Sequence, residues 1–158
     1  MLDAAQAAFL VGPVAINAAS HDAGRMPSIT RAYGCRVAAD RSEVIVFLST
    51  ARSVAVLRDL AADAPIAVVF SRPLTHATLQ LKGTRPRIQP LAPGDREIMR
   101  AYAAAFSMEI IALGHAHGFS HALMAPAGDE AVAVAFRPEA VFDQTPGPKA
   151  GIRLGPIA

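Results

Sequence analysis

The sequence predicts a mainly β domain, an antiparallel barrel of six to seven strands with short helices inserted. Three observations predict it. Apolar runs of strand length recur along the chain, at 14–19, 43–49, 66–71 and 131–136. The first three strand segments are joined by turns too short for a crossover helix, so neighbours must run antiparallel. Gly83 interrupts the long run 76–88, and a barrel needs such corners to close.

The elements follow in order. Residues 2–11 form a short helix, with Leu2, Ala5 and Phe9 at helical spacing and Gly12-Pro13 as the stop. After the strand at 14–19, His21-Asp22-Ala23-Gly24 turns the chain into the strand 26–37, which Gly34 interrupts. Ala39-Asp40-Arg41-Ser42 is turn chemistry, and 43–49 becomes the third neighbour. Ser53 is the N-cap of a helix over 53–63, with Val56, Leu57 and Leu60 as its buried stripe and Arg58, Asp59 and Asp63 outside. Pro65 opens the strand 66–71, and Arg72-Pro73-Leu74-Thr75 links it to the long strand 76–88. After a break at 90–93, residues 95–111 form the longest helix, with Ile98, Met99, Tyr102, Phe106 and Ile110 on one face. A loop at 114–118, a helical turn at 119–124 and a second loop at 125–129 precede the last strands, 131–136 and 139–143. The tail, 144–158, is irregular.

The chain has 158 residues, which fits one domain over 1–158. With 53% hydrophobic and 18% charged residues it can fill a core and carries too little charge for disorder. A net charge of +2 suits a small anionic ligand and falls short of a nucleic-acid footprint. The lack of Trp also argues against a base-stacking surface. A lone cysteine, Cys35, excludes an internal disulfide and fits a reducing compartment; with no base nearby it reads as a packed thiol. The N-terminus has no basic leader, and no apolar run approaches the ~20 residues of a membrane span. The expectation is a cytoplasmic protein with no membrane or nucleic-acid partner.

Chemistry concentrates where the third strand ends in hydroxyls and a helix opens, at Ser49-Thr50-Ala51-Arg52-Ser53. Free N–H groups and the positive end of the helix dipole make such a junction an anion trap. Arg31 and Arg36 on the partner strand add charge and fork-shaped donors. Residues five apart on a regular strand face opposite ways, so joint use of both arginines needs a bulge, which Gly34 is placed to supply.

The order Pro27-x-x-x-Arg31-x-x-x-x-Arg36, then Val46-Phe47-Leu48-Ser49-Thr50, resembles the pyridoxamine 5'-phosphate oxidase family, the FMN-binding split β-barrels. Ala67-Val68-Val69-Phe70 and Thr78-Leu79-Gln80-Leu81-Lys82-Gly83 are similar to the family's next two strands. The resemblance covers roughly 9–151. It implies a split barrel, FMN as cofactor, a homodimer with the cofactor groove between subunits, and flavin-based oxidoreductase chemistry on a small-molecule substrate. Arg31 and Arg36 match a family arginine and lysine, Ser49 a family hydroxyl, and Thr78 an amide side chain set against the flavin ring. Thr50, Arg52, Ser53 and Gln80 complete the implied cofactor-binding set. Two departures stand beside these matches. Ser53-Val54-Ala55 occupies the place of the family's Ser-Arg-Lys, and Phe142 to Pro148 lacks the Trp and Arg with which the oxidase itself meets substrate.

Other readings therefore stay open. The chain is an FMN-dependent oxidoreductase, a split barrel holding haem or another anionic ligand without turnover, or a dimeric relic without cofactor. For haem the ligand candidates are His117 and His121, in a cluster with His115; surface histidines in a loop are the alternative. Glu109 and Asp129 are not at a recognised metal-ligand spacing from them. His76, Thr78, Gln80 and Lys82 share one strand face beside Thr75, either as a binding surface or as an ordinary polar side. No Gly-x-Ser-x-Gly, Gly-x-Gly-x-x-Gly or Walker pattern occurs.

Overall fold

The computed structural model describes residues 1–125 and 130–154. Its helices are α1 (Ala4–Leu10), α2 (Val54–Ala61), α3 (Asp95–Ala112) and α4 (His117–Met124). Its strands are β1 (Ala15–His21), β2 (Pro27–Val37), β3 (Val44–Ser49), β4 (Ile66–Ser71), β5 (Thr78–Gly83), β6 (Arg87–Gln89), β7 (Ala131–Phe136) and β8 (Ala140–Asp143). All strand pairs are antiparallel, in the order β6-β7-β3-β2-β1-β4-β5-β8. The outer strands β6 and β8 do not pair with each other, so the barrel is split rather than closed.

β2 joins the two halves. Up to Arg31 it pairs with β1, and from Ala32 onward with β3. Between Ala32↔Leu48 and Cys35↔Val46 the register slips by one residue, the bulge expected at Gly34. Gly34 has φ 135°, and a Cβ there would lie 3.0 Å from Phe47 Cδ2 and 3.5 Å from the Met99 Cα. A side chain would thus be strained by the backbone and would push α3 off the strand. Inside the barrel Ile16, Ala18, Ala32, Val46, Leu48, Val68, Phe70 and Leu81 are buried. α3 packs across β2 through Met99, Tyr102 and Phe106, all buried at helical spacing.

The expected long strand over 76–88 is two strands. β5 pairs with β4 and β8; β6 pairs with β7 in the other half. The chain breaks at Thr84-Arg85-Pro86, with Arg85 at φ 49°. Pro86 cannot donate to a ladder, which is the local reason for the break. The split raises the strand number among the described residues to eight. Three smaller corrections follow. The helical turn expected from Phe119 begins at His117. Asp59, expected outside, is 2% exposed because Ser28 and Arg58 satisfy its carboxylate. Ser53 holds the N-cap position of α2, but its hydroxyl does not cap the helix; it bonds to Thr30 instead. Of the loop expected at 125–129 and the irregular tail, residues 126–129 and 155–158 lie outside the described residues. Among those described, no helix is long and apolar enough to cross a membrane.

At the start of α3, buried Asp95 accepts from Arg36 Nε at 2.7 Å and from the Ala92 amide at 2.8 Å. Asp95→Ala leaves both donors without their acceptor. Because Arg36 is 32% exposed and can turn to water, the expected cost is about 1–2 kcal/mol, read as a lower urea midpoint at unchanged slope.

Candidate functional site

Adjacent residues on β2 face opposite sides, and this divides the expected site. Thr30 faces α2. Its Oγ1 lies 3.0 Å from Ser53 Oγ and donates to the Arg52 carbonyl at 3.4 Å. On the same side Ser28 Oγ donates to Asp59 Oδ2 at 2.6 Å, and Arg58 Nε donates to Oδ1 at 2.9 Å. The buried hydroxyls at the α2 entrance are thus used by the protein itself. Thr50 is pinned elsewhere, its amide and hydroxyl both donating to the Glu130 carbonyl at 3.0 and 3.2 Å. Arg52 is exposed, and its guanidinium has no partner among the described residues.

The Ser28 hydrogen bond, with help from Arg58 and against desolvation, holds the Asp59 carboxyl below the usual carboxylate range. Its folded-state pKa lies below its unfolded one, so its stabilisation is complete above about pH 4 and is lost as pH falls through the folded value. Ser28→Ala should move the Asp59 titration upward, towards an ordinary aspartate, as read by carboxyl NMR. An unmoved titration would mean that Ser28 does not hold this group.

Arg31 faces the other way, onto the outer face of the half-sheet β2-β1-β4-β5-β8. Register aligns Arg31, Asn17, Val69, Gln80 and Phe142 in one row. A row on one side holds Ala15, Ser71 and Thr78; a row on the other holds Ile29, Ala19, Ala67, Lys82 and Ala140. The face is open. Ile29 is 74% exposed, while Asn17, Ala19, Ala67, Val69 and Gln80 are half-buried. Small apolar side chains make a flat shelf, and Arg31, Asn17 and Gln80 set donors and acceptors along it.

The Arg31 guanidinium lies 5.5 Å from the centroid of the Phe106 ring, and its Nη1 is buried with no hydrogen-bond partner. One turn along α3, Glu109 is 5% exposed; Oε1 accepts from Arg72 Nε and Nη2 at 2.9 and 2.7 Å, while Oε2 is buried and unpartnered. The margin of the shelf therefore holds an unmet donor and an unmet acceptor. Continuing the β2-β3 register one step past Ala32↔Leu48 sets Ser49 across from Arg31, on the same side. Ser49 is buried, and its hydroxyl makes no hydrogen bond among the described residues. Tyr102 stacks on Phe106 with centroids 5.9 Å apart and donates its hydroxyl to the Val14 carbonyl at 2.9 Å. Burial pushes its phenol pKa up, against the pull of the Arg31 charge.

No family model matches the sequence, and no curated protein matches it. Solved structures do. HupZ of Group A Streptococcus aligns over 95% of this chain and 100% of its own, with a TM-score of 0.57 at 18% identity. A proposed pyridoxamine 5'-phosphate oxidase from Lactobacillus delbrueckii aligns over 89% and 93%, with a TM-score of 0.55 at 14% identity. A pyridoxamine 5'-phosphate oxidase-related, FMN binding protein from Nostoc punctiforme aligns over 93% and 90%, with a TM-score of 0.50 at 11% identity. This chain has the pyridoxamine 5'-phosphate oxidase-like split-barrel fold.

Within the split barrel the bulge sets Arg31 and Arg36 on the same side of β2, yet they do not meet. Arg36 is held by Asp95 at the first turn of α3, and Arg31 lies over Phe106, about 16 Å further along the helix at 1.5 Å per residue. Of the residues matched to the family's cofactor contacts, Arg31, Ser49 and Thr78 share the outer side with Gln80, whereas Ser53 lies behind the sheet. Thr78 Oγ1 donates to the His76 carbonyl at 2.9 Å and lies 2.8 Å from Ser71 Oγ. Gln80 Oε1 accepts from Gln144 at 3.2 Å, and Lys82 Nζ lies 5.0 Å from the Phe142 ring centroid. Thr75 Oγ1 accepts from the Ala77 amide at 3.3 Å, and His76 is exposed.

His115 stacks on Phe119, while His117 and His121 lie one turn apart on α4, all three exposed. Among the described residues no three His, Cys, Asp or Glu side chains are grouped to hold a metal ion; Asp129 lies outside them. Cys35 is buried, and burial pushes its thiol up despite the neighbouring Arg36 charge.

Sequence reading missed Asn17 within the shelf and Arg72 and Glu109 beside it. Glu109 carried a signal. It stands three residues after Phe106, on the apolar face of its helix, where an acid needs a partner.

Proposed function

We propose that this split barrel is an FMN-binding flavoprotein, an oxidoreductase acting on a small molecule, and a homodimer with the cofactor groove between its subunits. One observation carries the reading, the buried and unpartnered Nη1 of Arg31 at the margin of an open, flat, mixed-polarity shelf. A buried donor on a charged group is costly unless something accepts from it, and an anionic ligand oxygen is the natural acceptor. The residues present fit the cofactor. Arg31 and Ser49 would hold its anionic tail, and Ala19, Ala67 and Val69 would floor its ring, with Asn17, Thr78 and Gln80 as polar contacts. When bound, the flavin supplies the electron-transfer chemistry.

The protein's part is to orient and to exclude water. The Phe106 ring lies 5.5 Å beneath the Arg31 guanidinium and would help hold it in place. The half-buried shelf would keep water from one side of a planar ligand. A second copy would keep it from the other and would also cover Ile29, 74% exposed, and Met26, 67% exposed. The naming of the Nostoc neighbour as FMN binding supports the cofactor.

The visible spectrum of the purified protein, before and after addition of FMN and gel filtration, tests the reading. A retained flavin spectrum on a dimer-sized species is the expected result. A protein that stays colourless after FMN addition would end it.

A further inference from the structure

We infer that the cleft between α1 and α3 is a second ligand site, apart from the shelf, and that it takes an amphipathic carboxylate, an unbranched acyl chain ending in one negative charge. The cleft measures about 590 Å³, within the range of small-molecule sites. Its walls are methyl groups, Ala7 and Ala8 on α1 and Ala101 and Ala105 on α3, which leave the space unfilled. Its floor includes Cys35 and Tyr102. The Tyr102 hydroxyl is already bonded to Val14, and Cys35 is a buried thiol, so neither offers a polar headgroup a partner. The interior therefore suits a hydrocarbon chain.

Among the described residues that line it, charge is carried by Arg36 and Arg41. Arg36 is balanced by Asp95. Arg41 is not; it is half-buried, and its guanidinium makes no hydrogen bond or ion pair among the described residues. Its backbone is left-handed at φ 60°, a region an arginine adopts at a cost. It is held there by its own amide, which donates to the Ala38 carbonyl at 2.8 Å, and by the Leu2 amide, which donates to the Arg41 carbonyl at 3.0 Å. An unbalanced cation whose backbone is tied beside an apolar cleft suits recognition of one terminal carboxylate. The cleft follows α3 from Ile98 to Ala105, and Arg31, Ser49 and Gln80 are not among the residues that line it, so this site does not depend on the flavin reading.

Isothermal titration of the full chain with sodium decanoate below its micelle concentration, and with 1-decanol as the uncharged analogue, tests the inference. One decanoate per chain is expected. Arg41→Ala should weaken decanoate about tenfold and leave decanol within about twofold. Ala105→Phe, which fills the cleft from an exposed helix position, should abolish both while circular dichroism stays native. If that variant fails to fold, Ala8→Phe on the facing wall asks the same question. Absence of decanoate binding, or binding indifferent to both Arg41→Ala and the filling variant, would overturn the inference. So would sedimentation showing that the filling variant breaks an oligomer, since the cleft would then be an interface between copies.

Discussion

Among the described glycines, Gly83→Ala is expected to be the most damaging alanine substitution, costing about 3 kcal/mol or preventing folding. A Cβ there would lie 2.5 Å from the Arg137 carbonyl oxygen and 3.0 Å from Phe136 Cδ2. The first contact is with backbone, which cannot swing aside as a side chain can. Gly83 ends β5, opposite Ile66, and Arg137 follows β7, so the clash falls where the two half-sheets approach. Overpacking costs ~1–3 kcal/mol, and a rigid partner puts this case at the upper end. For a chain of this size that corresponds to a fall in Tm of roughly 6–12 °C. Gly94→Ala is the comparison. Its Cβ would meet nothing within 4 Å, and only its φ of 89° resists, so a loss nearer ~1 kcal/mol is expected. A Gly83→Ala protein melting within a degree or two of wild type would show that the corner is not tight.

Phe106→Ala should cost about 3–5 kcal/mol, the usual range for a large aromatic removed from a core that cannot collapse. Phe106 is 1% exposed and stacks on Tyr102. It also supports the Arg31 guanidinium, so the substitution should damage stability and site together. Phe106→Leu separates the two. Apolar volume is largely kept, at about 1 kcal/mol of stability, while the ring beneath the cation is lost, which weakens its positioning by about 0.5–2 kcal/mol. Urea denaturation reads the first effect and ligand affinity the second. Equal affinity in Phe106→Leu and wild type would remove the ring from the site.

The barrel was legible because its strands obey local rules. The hairpins at the start of the chain, the run of β3 and the apolar face of α3 are fixed by alternation, turn residues and helical spacing. The bulge was legible from one glycine. The break between β5 and β6 could have been read from Pro86, which has no amide to give a ladder. What stayed hidden depends on partners far along the chain. Asp59 is buried because Ser28, 31 residues away, bonds to it, and Arg36 is occupied because Asp95 is 59 residues away. No local window contains such pairs. The division of the hydroxyls from Arg31 follows the same pattern. Alternation sets Thr30 and Arg31 on opposite faces, but only the packing of α2 shows that Ser53 joins Thr30.

That an anionic ligand satisfies Arg31 is tested most directly by FMN affinity measured for wild type, Arg31→Ala and Arg36→Ala. A charge-assisted hydrogen bond is worth about 1.5–3 kcal/mol, so Arg31→Ala should bind FMN about tenfold or more weakly. Arg36→Ala, whose guanidinium is committed to Asp95, should stay within about twofold of wild type. Undiminished affinity in Arg31→Ala would contradict the account.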